Sequence, residues 1–236
     1  KHKYVNYLDK PPLLFWLSAL FYKIFGVNQI AYRLPALLST IIGLFATYRL
    51  GKKLYNPEVG QIAALTLATT QAWFLFNHDI RTDTLLSNFT ILAIWQLYEY
   101  IEDRKWTNLL LGFGAIGLAM LAKGPIGMVI PAMALGCYLL GKQAWRKIFD
   151  PKWLIGLVIV LLVLSPMIYG LWTQWGKEGI YFFFWKQSFG RITGENVWRD
   201  NSGPFFFLHT FLWAVLPWSI FAVWALVRRS VTFWKK

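Results

Sequence analysis

Trp153-Leu-Ile-Gly-Leu-Val-Ile-Val-Leu-Leu-Val-Leu-Ser-Pro-Met-Ile-Tyr-Gly-Leu-Trp-Thr173 carries no charged side chain. As an α-helix it would be about 31 Å long, which matches the hydrocarbon core of a bilayer. Backbone amides have no water to bond there, so a span of this kind is helical. Working outward, further apolar blocks of roughly 16–25 residues recur between charged or Gly/Pro breaks. The resulting segments are 12–26, 34–50, 59–77, 83–101, 107–122, 125–141, 153–173 and 204–227. The composition agrees: 57% of the 236 residues are hydrophobic and only 15% charged, against about a quarter charged in soluble domains. The fold class is therefore an all-α polytopic membrane protein, which excludes a soluble enzyme.

The net charge of +13 raises nucleic-acid binding, but the bases sit in short loops between spans and describe membrane topology instead. No nucleic-acid partner is expected; the lipid bilayer is one. The first segment is short and aromatic, with Lys23 on its last turn. If it lies in the interface, 49–53, 104–105, 142–152 and 228–236 fall on the cytoplasmic side and hold 13 of the 24 basic residues. If it spans, those clusters move outside, against the positive-inside rule. The expectation is thus one transmembrane domain, truncated at both ends. It has an interfacial segment at about 1–30, about seven membrane helices between 34 and 227, and an extracytoplasmic loop at 174–203. Six of the 11 acids then share the outer face (Asp9, Asp79, Asp83, Glu178, Glu195 and Asp200). Chemistry belongs on that face.

Several motifs are decoys. Gly112-Phe-Gly114-Ala-Ile-Gly117 fits a dinucleotide fingerprint, but no strand precedes it, and close helix packing explains it better. Asn88-Phe-Thr90 fits a glycosylation sequon inside a span. His2, His78 and His209 are too scattered for a zinc set. Cys137 has no partner for a disulfide and reads as a buried, inert thiol.

Four strings carry chemistry. Asp9-Lys10-Pro11-Pro12 stops an extended chain and starts a helix, because Pro is tolerated in the first turn. Lys10 then sits at the helix's positive end, suited to a phosphate, or snorkels from the interface. In His78-Asp79-Ile80-Arg81-Thr82-Asp83, charge gathers where one span ends and the next begins, which tends to mark function. Asp83 also serves as an ordinary first-turn acid. Lys123-Gly124-Pro125 forces a tight outer turn and adds positive field. The 174–203 loop interleaves aromatics with charges, Arg191 among them, and suits a sugar or a head group as well as an interfacial belt.

As an ordered set, Tyr7-Leu8-Asp9-Lys10-Pro11-Pro12-Leu13, Phe25-Gly26, Tyr32-Arg33-Leu34-Pro35-Ala36, Arg81-Thr82-Asp83 and Lys123-Gly124-Pro125 resemble the dolichyl-phosphate-mannose–protein mannosyltransferase group. The bacterial branch that includes the lipid A aminoarabinose transferase is the closer likeness. The resemblance covers about 1–125, with Phe189-Gly190-Arg191 and Leu216-Pro217-Trp218-Ser219 as a weaker continuation. It implies a GT-C-fold glycosyltransferase of the bacterial inner membrane. The sugar would come from a polyprenyl-phosphate donor and go, on the extracytoplasmic face, to a protein hydroxyl, lipid A or another glycan. By the same likeness Lys10 contacts the donor phosphate, Asp9 lies in the active cavity, and Asp83 is the acid opening a later helix. Arg81, Lys123 and Arg191 are the supporting cations on substrate. The principal base is expected upstream of residue 1, so these residues by themselves would be inactive. No cofactor is implied for certain; a divalent metal is left open. One departure stands out: the histidine-bearing stretch of the aminoarabinose branch reads Glu195-Asn196-Val197-Trp198-Arg199-Asp200 here. The rival readings are a transporter or flippase of a lipid-linked sugar, in which charged membrane residues mark a path, and a structural subunit.

Overall fold

The computed structural model describes residues 10–186, 203 and 205–234, with backbone alone for 231–234. The described elements are all helical. In order they are α1 (Leu13–Phe25), α2 (Gln29–Leu54), α3 (Pro57–Ala68), α4 (Gln71–Asp79), α5 (Thr82–Asp103) and α6 (Trp106–Lys123). There follow α7 (Ile126–Gly141), α8 (Trp145–Ile148), α9 (Lys152–Tyr181, continued by a π-turn at Phe182–Lys186), α10 (Phe206–Ala214) and α11 (Trp218–Trp234).

Local chemistry sets the boundaries. The Asn28 carboxamide oxygen accepts from the Ala31 amide at 2.8 Å and starts α2. Asn56 accepts from Val59 at 2.9 Å, with Pro57 behind it, and starts α3; both are N-caps that satisfy an otherwise orphaned amide. α2, α6 and the run containing α9 are long and apolar enough to cross a bilayer, and two bent pairs, α3–α4 (52°) and α10–α11 (114°), qualify when each is taken as one span. α1 has 13 residues, about 20 Å, which is too short to cross a hydrocarbon core of about 30 Å.

Small residues let the helices approach and fix their direction. A Cβ on Gly112 would strike Leu97, and the Lys123–Asp83 ion pair joins the opposite ends of the same two helices, so α5 and α6 are antiparallel. Gly156 meets the Phe113 ring and Gly117 meets Val163, so α6 and α9 run parallel. Both outer glycines of the false dinucleotide motif are therefore packing sites, while Gly114 faces open space. The sequon residue Asn88 is fully buried in α5, donating to Ser39 Oγ of α2 at 3.1 Å.

The structure departs from the sequence reading in four places. The segment expected at 59–77 breaks at Thr69–Thr70, and the one at 204–227 breaks before Trp218. The breaks meet: the Gln71 amide donates to the Leu216 carbonyl at 3.0 Å, and Trp218 Nε1 donates to Thr69 Oγ1 at 2.7 Å. The expected outer loop is helical from 174 to Tyr181, across a kink at Gly176 (φ 56°). Finally, Cys137 is exposed rather than buried. In a bilayer an apolar residue gains nothing by leaving the lipid, so hydrophobicity does not imply burial.

Candidate functional site

Asp83 stands in the first turn of α5 and Lys123 in the last turn of α6. Each charge complements its own helix dipole, and the antiparallel pairing brings the two into an ion pair. Gly124 turns the chain at φ 82° into Pro125 and α7, closing this end of the hairpin. The α4–α5 turn beside it is strained: Ile80 has φ 51°, unusual for a β-branched residue, and its side chain is buried in the core. That anchor holds the turn from which Arg81 projects. Arg81 bonds Asp79 at 3.0 Å and lies over the Phe76 ring at 5.3 Å.

Lys10 lies at the same end. Because α6 and α9 are parallel with Gly117 beside Val163, Lys123 is level with the stretch around Tyr169. From that level Pro166, Met167, Gly170, Leu171 and Trp175 line a cleft of about 190 Å³ whose other wall is Lys10, Pro11, Pro12 and Trp16. Phe182 and Phe183 of the π-turn close it. Lys10 is exposed and has no carboxylate within ion-pair distance among the described residues. The buried side chains of Leu13 and Leu14 tie the start of α1 to the core. An ammonium without a carboxylate partner among the described residues, beside an aromatic and half-enclosed surface, offers charge for an anion and flat apolar faces for whatever is attached to it.

The structure thus groups Lys10, Asp83, Lys123 and Arg81 at one end of the bundle, but in distinct pairings. Lys123 is engaged by Asp83 and Arg81 by Asp79, and of these cations Lys10 alone has no carboxylate partner among the described residues. Asp9 and Arg191 lie outside the described residues. Among the described residues no three His, Cys, Asp or Glu side chains converge on a metal-sized space. Sequence reasoning missed Trp16, Trp175, Phe182 and Phe183 as walls of the Lys10 cleft. The only local signal was the density of aromatics near 172–185, which an interfacial belt explains equally well.

Residues 9–170 match the family profile described as dolichyl-phosphate-mannose-protein mannosyltransferase. The chain is 28% identical over 228 residues to an undecaprenyl phosphate-alpha-4-amino-4-deoxy-L-arabinose arabinosyl transferase of Pseudomonas paraeruginosa, covering 91% of this chain and 40% of that protein. It is 27% identical over 236 residues to the corresponding transferase 1 of Pseudomonas fluorescens, covering 95% and 40%. The crystal structure of ArnT from Cupriavidus metallidurans bound to undecaprenyl phosphate superposes with a TM-score of 0.78 at 22% identity, over 95% of this chain and 42% of that one. The fold is shared, and the chain spans about 40% of the length of the curated relatives it matches.

Proposed function

The chain belongs to the dolichyl-phosphate-mannose-protein mannosyltransferase family, and from that premise we propose that it is part of a membrane glycosyltransferase using a polyprenyl-phosphate sugar donor. The acceptor, a protein hydroxyl, lipid A or another glycan, would be modified on the extracytoplasmic face of the bacterial inner membrane. The relatives named for transfer from undecaprenyl phosphate and the solved structure that holds this lipid support the donor class.

The observation that carries the reading is Lys10, an open cation walled by prolines and aromatics at the end of the bundle opposite the basic loops. In the reaction, an acceptor oxygen attacks the anomeric carbon as the bond from that carbon to the lipid phosphate breaks. The acceptor's proton passes to a carboxylate, expected upstream of residue 1. Negative charge grows on the departing phosphate, and Lys10 stabilises it in place; groups so preorganised contribute most where charge develops. Asp83, which holds Lys123 at the same end of the bundle, and Asp9, which precedes Lys10 in the sequence, are the acids assigned to the site. Arg81 and Arg191 add positive potential for the donor.

Transfer of sugar from a polyprenyl-phosphate donor by the full-length protein tests this. Lys10→Ala should lower turnover on the order of 10²–10³-fold with the melting temperature unchanged. Wild-type turnover in that variant would refute the assignment.

A further inference from the structure

The opposite end of the bundle holds a feature that transfer chemistry does not use. α7 approaches α6 closely near its start, where a Cβ on Gly127 would lie 2.5 Å from the Ala119 backbone. Farther along, Gly136 and Gly141 have nothing within 4 Å. The helices part, and a groove of about 350 Å³ opens between α7 on one side and α6 and α9 on the other. Met128, Pro131, Leu135 and Leu139 of α7 mark its length, Phe113 and Leu157 its far wall, and Ile148 and Trp153 its inner end. From Met128 to Leu140 it runs about 18 Å, close to the depth of one leaflet, about 15 Å.

We propose that this groove holds one acyl chain of an anionic phospholipid of the inner leaflet, with the lipid phosphate on a basic rim formed by Lys142, Arg146 and Lys152. An apolar groove of this kind excludes water, and in a bilayer the hydrocarbon available to fill it is a lipid tail. Apolar burial gives little preference there, since tails are as apolar as the lining. Selectivity must come from the rim. Lys142 follows the α7 residues of the lining by two positions, Arg146 precedes Ile148 by two, and Lys152 adjoins Trp153. None has a carboxylate within ion-pair distance among the described residues, whereas the neighbouring Lys147 is engaged by Glu102 at 3.6 Å. Lys152 lies over the Trp106 ring at 5.0 Å, which holds its ammonium at the interface. Basic pockets between helices on the cytoplasmic side favour acidic head groups. The proposal rests on the orientation adopted above and not on the transfer reaction.

The test is native mass spectrometry of the full-length protein, delipidated and offered phosphatidylglycerol and phosphatidylethanolamine with identical acyl chains at equal concentration. The wild type should retain one phosphatidylglycerol, preferred on the order of tenfold. Gly136→Phe, which projects into open space, should lose it. The triple variant Lys142→Gln, Arg146→Gln, Lys152→Gln should bind the two lipids equally, and it carries the test alone if Gly136→Phe melts early. Equal retention by the wild type, undiminished binding in Gly136→Phe, or a retained polyprenyl phosphate in place of phospholipid would each overturn the proposal. None of these outcomes depends on whether Lys10→Ala transfers sugar.

Discussion

At the inner end of the bundle, Glu99, Glu102, Asp103 and Asp150 each lie against a cation from another element: Arg49 at 3.7 Å, Lys147 at 3.6 Å, Lys53 at 3.4 Å, and Arg104. At the outer end, among the described residues, Asp83 alone is bridged between helices, Asp79 is paired to its near neighbours Arg81 and His78, and Lys10 has no carboxylate within ion-pair distance beside its cleft. Both ends meet the same aqueous boundary, so solvation does not explain the difference. Paired charges at the inner end fix α5 against α2, α8 and the start of α9, and the bases there also set orientation. Charge left without a carboxylate among the described residues, Lys10 at the outer end and Lys142, Arg146 and Lys152 at the inner rim, is available to a ligand, and that availability is the property a phosphate site requires.

The sharpest way to break this contrast is to remove a charge at each end and compare turnover in the full-length protein. Asp83→Asn should lower sugar transfer on the order of 10²-fold, while Lys53→Met, which breaks the Asp103 pair, should leave it unchanged. Lys123→Met should fall between, since it frees Asp83 without removing it. Equal activity in Asp83→Asn and Lys53→Met would make the outer acid only a first-turn residue. Circular dichroism melts on the same samples separate that result from unfolding.

Between the two ends the contrast depends on rigid helix packing, and a smaller effect is expected there. A methyl on Gly43 would lie 2.0 Å from Asn88 Oδ1 in the fully buried contact of α2 with α5. Gly43→Ala should therefore cost about 1–3 kcal/mol, the range for overpacking, whereas Gly136→Ala, with nothing within 4 Å, should be close to neutral. Thermal melts in one detergent compare the pair. A neutral Gly43→Ala would mean that α2 shifts freely against α5 and that the outer end is not held by the inner one.

These features differ in how far they could be read from the residues alone. The span at 153–173 and the packing role of Gly112 and Gly117 were legible because an apolar run and small-residue spacing are local signals. Lys10 was legible for the same reason: Lys-Pro-Pro places a cation at a helix start. The break at Thr69–Thr70 was not, because its freed amide at Gln71 is satisfied by Leu216, 145 positions away. The stretch at 174–181 reads in the sequence as the start of the 174–203 loop, yet Gly179 packs closely against Trp175 and Leu171 and carries the helix onward. The Asp83–Lys123 pair joins residues 40 positions apart, so only the antiparallel hairpin reveals that two separately noted charges neutralise each other.

The inner end offers the finest test, through pH. Burial alone would push the Asp150 carboxyl up, but the Lys152 amide, donating at 3.0 Å, the Arg104 guanidinium and the Lys152 charge together hold it below the ordinary aspartate range. A carboxyl lowered on folding adds stability that is fully present above the unfolded value, about 3.9, and that is lost as pH falls through the lower folded value. Arg104→Ala removes the partner of a side chain only 12% exposed and should cost about 1–2 kcal/mol at neutral pH. Below the folded value of Asp150 its penalty should shrink, because the protonated acid no longer needs the cation. Melting temperatures of wild type and Arg104→Ala between pH 7 and pH 3, in one detergent, should therefore converge toward the acid end. A gap that stays constant with pH would show that Arg104 acts through its contact with the Tyr100 ring, 5.5 Å away, and that the inner pairs are packing rather than charge. Convergence, alongside unchanged sugar transfer in Arg104→Ala, would assign the inner acid–base pairs to architecture and leave ligand binding to the bases that have no carboxylate partner among the described residues.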